Sequence, residues 1–229
     1  MGADERGERV ATDIMKEPGW YALQHFYMIP FFVDVKFGEC DRILGRELQD
    51  TLLYPEAISR YARGMAYLGK KDLPNAKSEL DKLEVLALDE RLTEMKIWEI
   101  NSMQTIVDIA RKVLKGEILA SEGKFDESII LLKEAVALED GLNFREPPDW
   151  FFSVRHTLGA VQIEAGSYAD AVKTFEEDLI VLPRNGWAQH GLKLAYEKME
   201  NLPKVKQMEA SLKESWATAD VEIETSRIK

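Results

Sequence analysis

The sequence predicts an all-α chain: a right-handed superhelical solenoid of about five helix-turn-helix repeats. Three observations carry this. The stretch from Asp149 to Pro183 places apolar residues at helical spacing on both sides of a Gly166-Ser167 break. The same spacing of small and large residues recurs at Gly64 and Gly116. Alanine, leucine, glutamate and lysine are frequent, and β-branched runs are few.

In the reference stretch, Phe151, Val154, Leu158 and Val161 form the first stripe, and Ala171, Val172, Phe175, Leu179 and Leu182 the second. Asp149 stands where a carboxylate caps the first helix. Gly166 suits the left-handed position past a helix end, and Pro183 stops the second helix. Gly159 and Ala171 fall at similar depth in the antiparallel pair, so the two backbones approach there, and Phe175 fills the wider gap one turn on. The offsets repeat. Gly64 is followed by Ala76 and Leu80, Gly116 by Ser128 and Leu132, and Gly159 by Ala171 and Phe175, always twelve and then four residues on.

Taken in order, residues 1–19 form a charged leader or short helix. The solenoid spans 20–221, with repeats at about 20–50, 55–88, 101–139, 149–183 and 185–217, and 222–229 is a frayed tail. In the first repeat Pro30 splits or kinks the helix of Trp20–Phe37, Gly38 turns the chain, and Cys40 to Leu48 returns it. In the second, helices run about Glu56–Gly69 and Leu73–Leu88. Pro74 sits in a first turn, and Lys71 stands where other copies carry glycine. Asp89 to Met103 is an insertion, helical over Arg91–Ile97. Asn101 or Ser102 caps the next long helix, which ends near Ser121. Gly123 turns it and Phe125–Leu138 follows. Asp140 to Pro148 is a loop stiffened by two prolines. Asn185 caps the last pair, whose second helix closes the array with Val205, Met208, Leu212 and Trp216 inward and charges outward.

A period of about 34 residues as helix–turn–helix is the mark of the tetratricopeptide (TPR) repeat, and the chain resembles that family. IPFFVDVKFGECDRIL, RYARGMAYLG, LEDGLNFREPPDWFFSVRHTLGA and NGWAQHGL look like the C-terminal part of large, mostly bacterial proteins of this class, which carry further repeats upstream. The resemblance implies a superhelix without an established reaction, whose first helices line a concave groove for a protein or peptide. Residues opposite the packed stripe of those helices are His25, Met28, Phe32, Tyr61, Met65, Leu68, Glu117, Ser153, His156, Gln189 and Tyr196. Family members that clamp a chaperone's C-terminal carboxylate use lysine and asparagine. Here Tyr61, Met65, Ala110, Val113 and Leu114 hold those places, so that mode is absent.

Composition bounds the rest. With 41 acidic and 30 basic residues the net charge is −11 and no basic run dominates, which excludes the electrostatic footprint of a nucleic-acid binder. One cysteine, Cys40, excludes an internal disulfide or an all-cysteine metal site. No apolar run reaches a membrane span, and MGADERGERV lacks an apolar signal region. Arg6 stands where myristoylation requires Ser or Thr. The expectation is a soluble cytoplasmic chain.

Candidate chemistry is sparse. The three histidines are His25, His156 and His190, and no HExxH or paired-histidine motif occurs among them. Cys40 with His25 lacks an oxyanion element. The loop EPPDW offers Asp149, Trp150 and, further on, Arg155 as a contact element. Against that stands the structural reading, in which Asp149 is a cap and Trp150 an anchor in the core. The first functional reading is a non-catalytic scaffold for a protein or peptide, with no cofactor and no metal. The second is a homodimer through the Trp20–Phe37 aromatics. The third is a ligand- or metal-sensing accessory protein using the His156–His190 groove.

Overall fold

The computed structural model describes residues 13–48, 51–143, 146–223 and 225–227. Residues 1–12 of the expected leader therefore lie outside the described ones. Among the described residues the chain is almost wholly helical, with one two-stranded hairpin. It divides into two compact units, residues 1–114 with 138–151 and residues 115–137 with 152–229.

The first unit begins with α1 (Tyr21–Tyr27) and α2 (Ile29–Lys36), two helices where one kinked helix was an option. Pro30 lies in the first turn of α2, where its missing N–H breaks no bond. Gly38, at φ +69°, turns the chain into α3 (Cys40–Gly45), shorter than the expected Cys40–Leu48. Buried Asp34 ties the two together, accepting from Arg42 at 3.0 Å and Arg46 at 2.9 Å. Next come α4 (Leu53–Gly69) and α5 (Leu73–Leu86), joined through Lys71 at φ +59°. Asp72 caps α5 by accepting from the Asn75 amide. α4 buries one broad face, through Tyr54, Ile58, Tyr61, Ala62, Met65 and Ala66. A methyl group on Gly64 would fall within 3.0 Å of the Leu114 side chain, so Gly64 admits a residue of the following repeat.

The insertion departs from expectation. Only α6 (Arg91–Glu94) is helical, and β1 (Lys96–Ile97) then pairs antiparallel with β2 (Asn101–Ser102). Its tip, Trp98-Glu99, has positive φ at both residues, +51° and +59°, and the Ile100 amide donates to the Ile97 carbonyl at 2.9 Å. These φ values are those of a type I′ turn, which normally recruits Asn-Gly or Asp-Gly, set here within a three-residue loop between the paired Ile97 and Asn101. Of the two candidate caps for α7 (Met103–Ser121), Ser102 takes the role, accepting from the Thr105 amide at 3.3 Å.

In the second unit lie the C-terminal part of α7, most of α8 (Phe125–Asp140), and then α9 (Val154–Glu164), α10 (Tyr168–Val181), α11 (Gly186–Lys198) and α12 (Leu202–Ser215). The Ser128 hydroxyl donates to the Gly116 carbonyl at 2.7 Å, so these small residues meet, and Leu132 fills the space that a side chain on Gly116 would occupy. The Phe175 ring tip lies against both Gly159 and Gly191. Around it a core forms from Ala171, Ala188, Leu192, Ala195, Tyr196 and Val205. Asn185 caps α11 through the Trp187 and Ala188 amides. Asn201 does the same for α12 through Lys204.

Asp149 does not cap a helix. α9 starts at Val154, and residues 149–153 form a bent, non-helical entry. The aromatics explain why. Within the first unit, Phe151 stacks on Phe32 at 4.6 Å, and Trp150 packs against Tyr61 at 5.5 Å. Burying the Trp150 ring and stacking Phe151 on Phe32 outweighs the few hydrogen bonds of one more helical turn. Downstream of α12, where a frayed tail is expected, Ser226 is buried and Arg227 is ion-paired.

Candidate functional site

Helical spacing marks which face of a first helix packs. It does not show whether the opposite face stays open, and here that face is covered. His25, Met28, Phe32, Tyr61 and Met65 in the first unit are buried, and so are Glu117, Ser153, His156, Gln189 and Tyr196 in the second. Only Leu68 is half-buried. The expectation that these side chains line an open groove is corrected accordingly. Several have visible partners. Tyr61 meets Trp150. Gln189 donates to Ser211 at 2.9 Å, and Tyr196 donates to Glu176 at 3.1 Å. His156 Nε2 lies 2.9 Å from Asp178 Oδ2, both side chains fully buried. Arg155, on α9, has its guanidinium 3.9 Å from Glu177.

One accessible pocket of the first unit, of about 290 Å³, takes in two of these residues. α1 and α2 supply His25, Phe26, Phe32 and Val33 to it. The hairpin tip supplies Trp98, and the loop before α9 supplies Pro147, Pro148, Asp149 and Phe151. Phe26 and Trp98 have ring centroids 5.7 Å apart. Three apolar side chains at its edge are open to solvent: Trp98 at 60%, Val33 at 44% and Ile29 at 42%. A tryptophan held in the open by a turn without glycine or asparagine is a costly arrangement, and such backbone strain clusters at functional sites.

The polar groups at this pocket are tuned by burial. His25 has its pKa lowered to about 4, so the ring is neutral at physiological pH. Its Nδ1 hydrogen-bonds the Tyr54 hydroxyl at 2.7 Å. Burial, and then the nearby Asp149 charge, push Tyr54 well above the usual phenol range. Burial raises the Asp149 carboxyl, opposed by a hydrogen bond from Asn101 Nδ2 at 2.6 Å. Asn101 is buried and also clasps Asn143, accepting from its amide at 2.9 Å and donating to its carbonyl at 2.7 Å. A residue that local rules read as a helix cap is therefore the one that holds the wall of the pocket. Burial lowers Lys36 at the rim.

The sequence names His25, Phe32 and the EPPDW loop with Pro147, Pro148 and Asp149 in advance, and misses Trp98, Phe26 and Val33 as lining. An exposed tryptophan amid charged residues, in the segment KIWEIN, is the signal that marks Trp98. Trp150, offered as a contact, is core.

Among the described residues no group of three His, Cys, Asp or Glu side chains converges as a metal site. Burial pushes the Cys40 thiol up, the reverse of an activated nucleophile. Among the described residues no helix is long and apolar enough to cross a membrane.

No protein-family model matches the sequence, and no curated protein matches it. Among solved structures, two of a Podosopora anserina protein described as a putative kinesin light chain with nearly identical TPR-like repeats are similar. One, a single-residue variant of that protein, aligns over 87% of this chain and 96% of its own at 15% identity, with a TM-score of 0.53. The other covers 91% and 100% at 15% identity, with a TM-score of 0.52. The chain thus has an all-α, TPR-like repeat fold, a type of solenoid whose surfaces commonly mediate protein–protein interaction.

Proposed function

We propose that this chain is a non-catalytic protein- or peptide-binding scaffold, and that its contact point in the first unit is the aromatic pocket beside Trp98. The observation that carries the reading is Trp98 itself, 60% exposed on a strained turn at the mouth of a pocket walled by Phe26, Phe32 and Phe151. Aromatic walls with few polar groups suit an apolar side chain of a partner segment, and rigid aromatics are the usual anchors of such contacts. The occluded Tyr61–Met65 face is not part of this surface.

Peptide phage display against the full chain, followed by calorimetry on the enriched peptides, tests it. Peptides with an aromatic or aliphatic anchor should bind the wild type and lose at least about tenfold on Trp98→Ala or Val33→Asp, a typical cost for a contact of this kind. Both side chains are exposed, so the fold is not at risk. Enriched peptides that bind the two variants as well as the wild type would remove the pocket from the proposal.

A second reading, self-association, draws on Trp20, Tyr27, Ile29, Val33 and Phe37, which expose 54, 44, 42, 44 and 46% of their surface. Sedimentation over a hundredfold concentration range separates the two, since a concentration-independent monomer argues against the dimer.

A further inference from the structure

The second unit holds a side chain that nothing in the repeat pattern requires. Arg227 follows α12 by twelve residues, yet only 11% of its side chain is exposed. Its Nη1 lies 3.2 Å from Glu117 Oε2 on α7. Its Nη2 donates to both oxygens of Glu164 on α9, at 2.9 and 3.0 Å. Glu117 is 7% exposed and Glu164 37%. The Arg227 amide donates to Thr225 Oγ1 at 3.3 Å, and Ser226 between them is 1% exposed. A short turn therefore delivers a guanidinium to two carboxylates carried by two different first helices.

Reaching Glu117 through Nη1 and Glu164 through Nη2 is the geometry that distinguishes arginine from lysine, because a planar fork presents separate nitrogens to two carboxylates at once. Glu117, a groove residue by its sequence position, is covered by the chain's own C-terminal segment. We propose that Glu117 and Glu164 form an arginine-recognition site for a partner peptide, with Arg227 as its internal occupant. A partner presenting arginine in a short polar turn competes with that segment. The net charge of −11 favours the approach of basic partners. The tether gives Arg227 an effective concentration in the millimolar range, so an external peptide binds weakly until the internal arginine is removed. The proposal rests on residues of the second unit alone and is independent of the Trp98 pocket.

The probe is the synthetic peptide DVEIETSRIK, residues 220–229 of the chain, titrated by calorimetry into the full chain and into its Arg227→Ala variant. The variant should bind it at least about tenfold more tightly than the wild type. The same peptide with alanine in place of its arginine should not bind, and adding Glu164→Gln to the variant should cost at least about tenfold. Equal affinity for both peptides, or no binding by a variant whose circular dichroism is native, would overturn the proposal. A second measurement needs no disruption of the core. Trypsin cleaves after arginine, and Glu164→Gln alone, at a half-exposed position, should speed cleavage after Arg227 several-fold. An unchanged rate would show that the carboxylate does not hold the guanidinium and would equally overturn it.

Discussion

Replacing Gly191 or Gly159 by alanine sets two effects of opposite sign against each other. In a helix interior the change gains about 0.5–1 kcal/mol, because glycine loses the most backbone freedom on folding. Against this, a methyl group at either position falls within 3.0 Å of three ring-tip atoms of Phe175. A neighbour that close must move, and a ring tip held by two backbones has little freedom to withdraw from either. Overpacking of a filled core costs about 1–3 kcal/mol. The balance is a net loss of up to about 2.5 kcal/mol for each variant, or a melting temperature lower by up to roughly 10 °C for a chain of this size. Urea unfolding followed by circular dichroism reads the loss. Gly45→Ala serves as control, since a methyl there meets nothing within 4 Å, and it should not lower the midpoint. Shrinking the ring supplies the decisive comparison. Phe175→Leu combined with Gly159→Ala should be more stable than the sum of the single changes by about 1 kcal/mol, because the clash and the ring are removed together. If both alanine variants stabilise the chain, or if the double variant is additive, the glycines do not owe their place to Phe175.

Three further changes probe the first unit. His25 has a folded-state pKa of about 4 against 6.5 for the free side chain, so between these values the unfolded chain binds the extra proton. Its stabilising contribution is present above pH 6.5 and is lost as the pH falls toward 4. That amounts to about 2 kcal/mol between pH 7 and pH 5, and urea midpoints at the two values should show a slope that His25→Gln flattens. Trp150→Ala should cost about 3–5 kcal/mol, since the ring is buried among Phe32, Tyr61 and Phe151; a negligible shift in thermal unfolding would reassign Trp150 to the surface contact. Lys71→Gly should raise the stability read from urea unfolding by up to about 1 kcal/mol, because Lys71 occupies a left-handed turn at φ +59°; a loss of stability would mean that the lysine side chain contributes more than the strain costs.

How far the sequence reaches depends on how local each determinant is. The glycine pattern is legible because a close approach between helices demands a missing side chain at a fixed depth, whatever surrounds it. Yet the partner in that approach is only partly legible, since Gly116 meets Ser128 and Leu132 of its own repeat whereas Gly64 meets Leu114 of the next. Turns follow the same logic. Gly38, Gly123 and Gly166 declare positive φ, and Lys71 and Glu200 adopt it without saying so. Burial of most of the named groove side chains escapes the sequence because a stripe identifies one packed face and is silent on the other. In α4 the buried Tyr54, Ile58, Tyr61, Ala62 and Met65 fall within about 100° of arc, so Tyr61 and Met65 belong to the packed face itself. The hairpin at Trp98 escapes because its turn uses Trp-Glu, residues with no preference for that conformation, and the pairing of Lys96–Ile97 with Asn101–Ser102 and the packing of Trp98 on Phe26 hold it. Asn101 and Asp149 are 48 residues apart and Arg227 and Glu164 63. No window of helical periodicity spans such distances, and each of these pairs joins residues that local rules assign to a cap or a tail. The positions that carry the two proposed binding surfaces are thus those where a side chain serves a distant partner instead of its own helix.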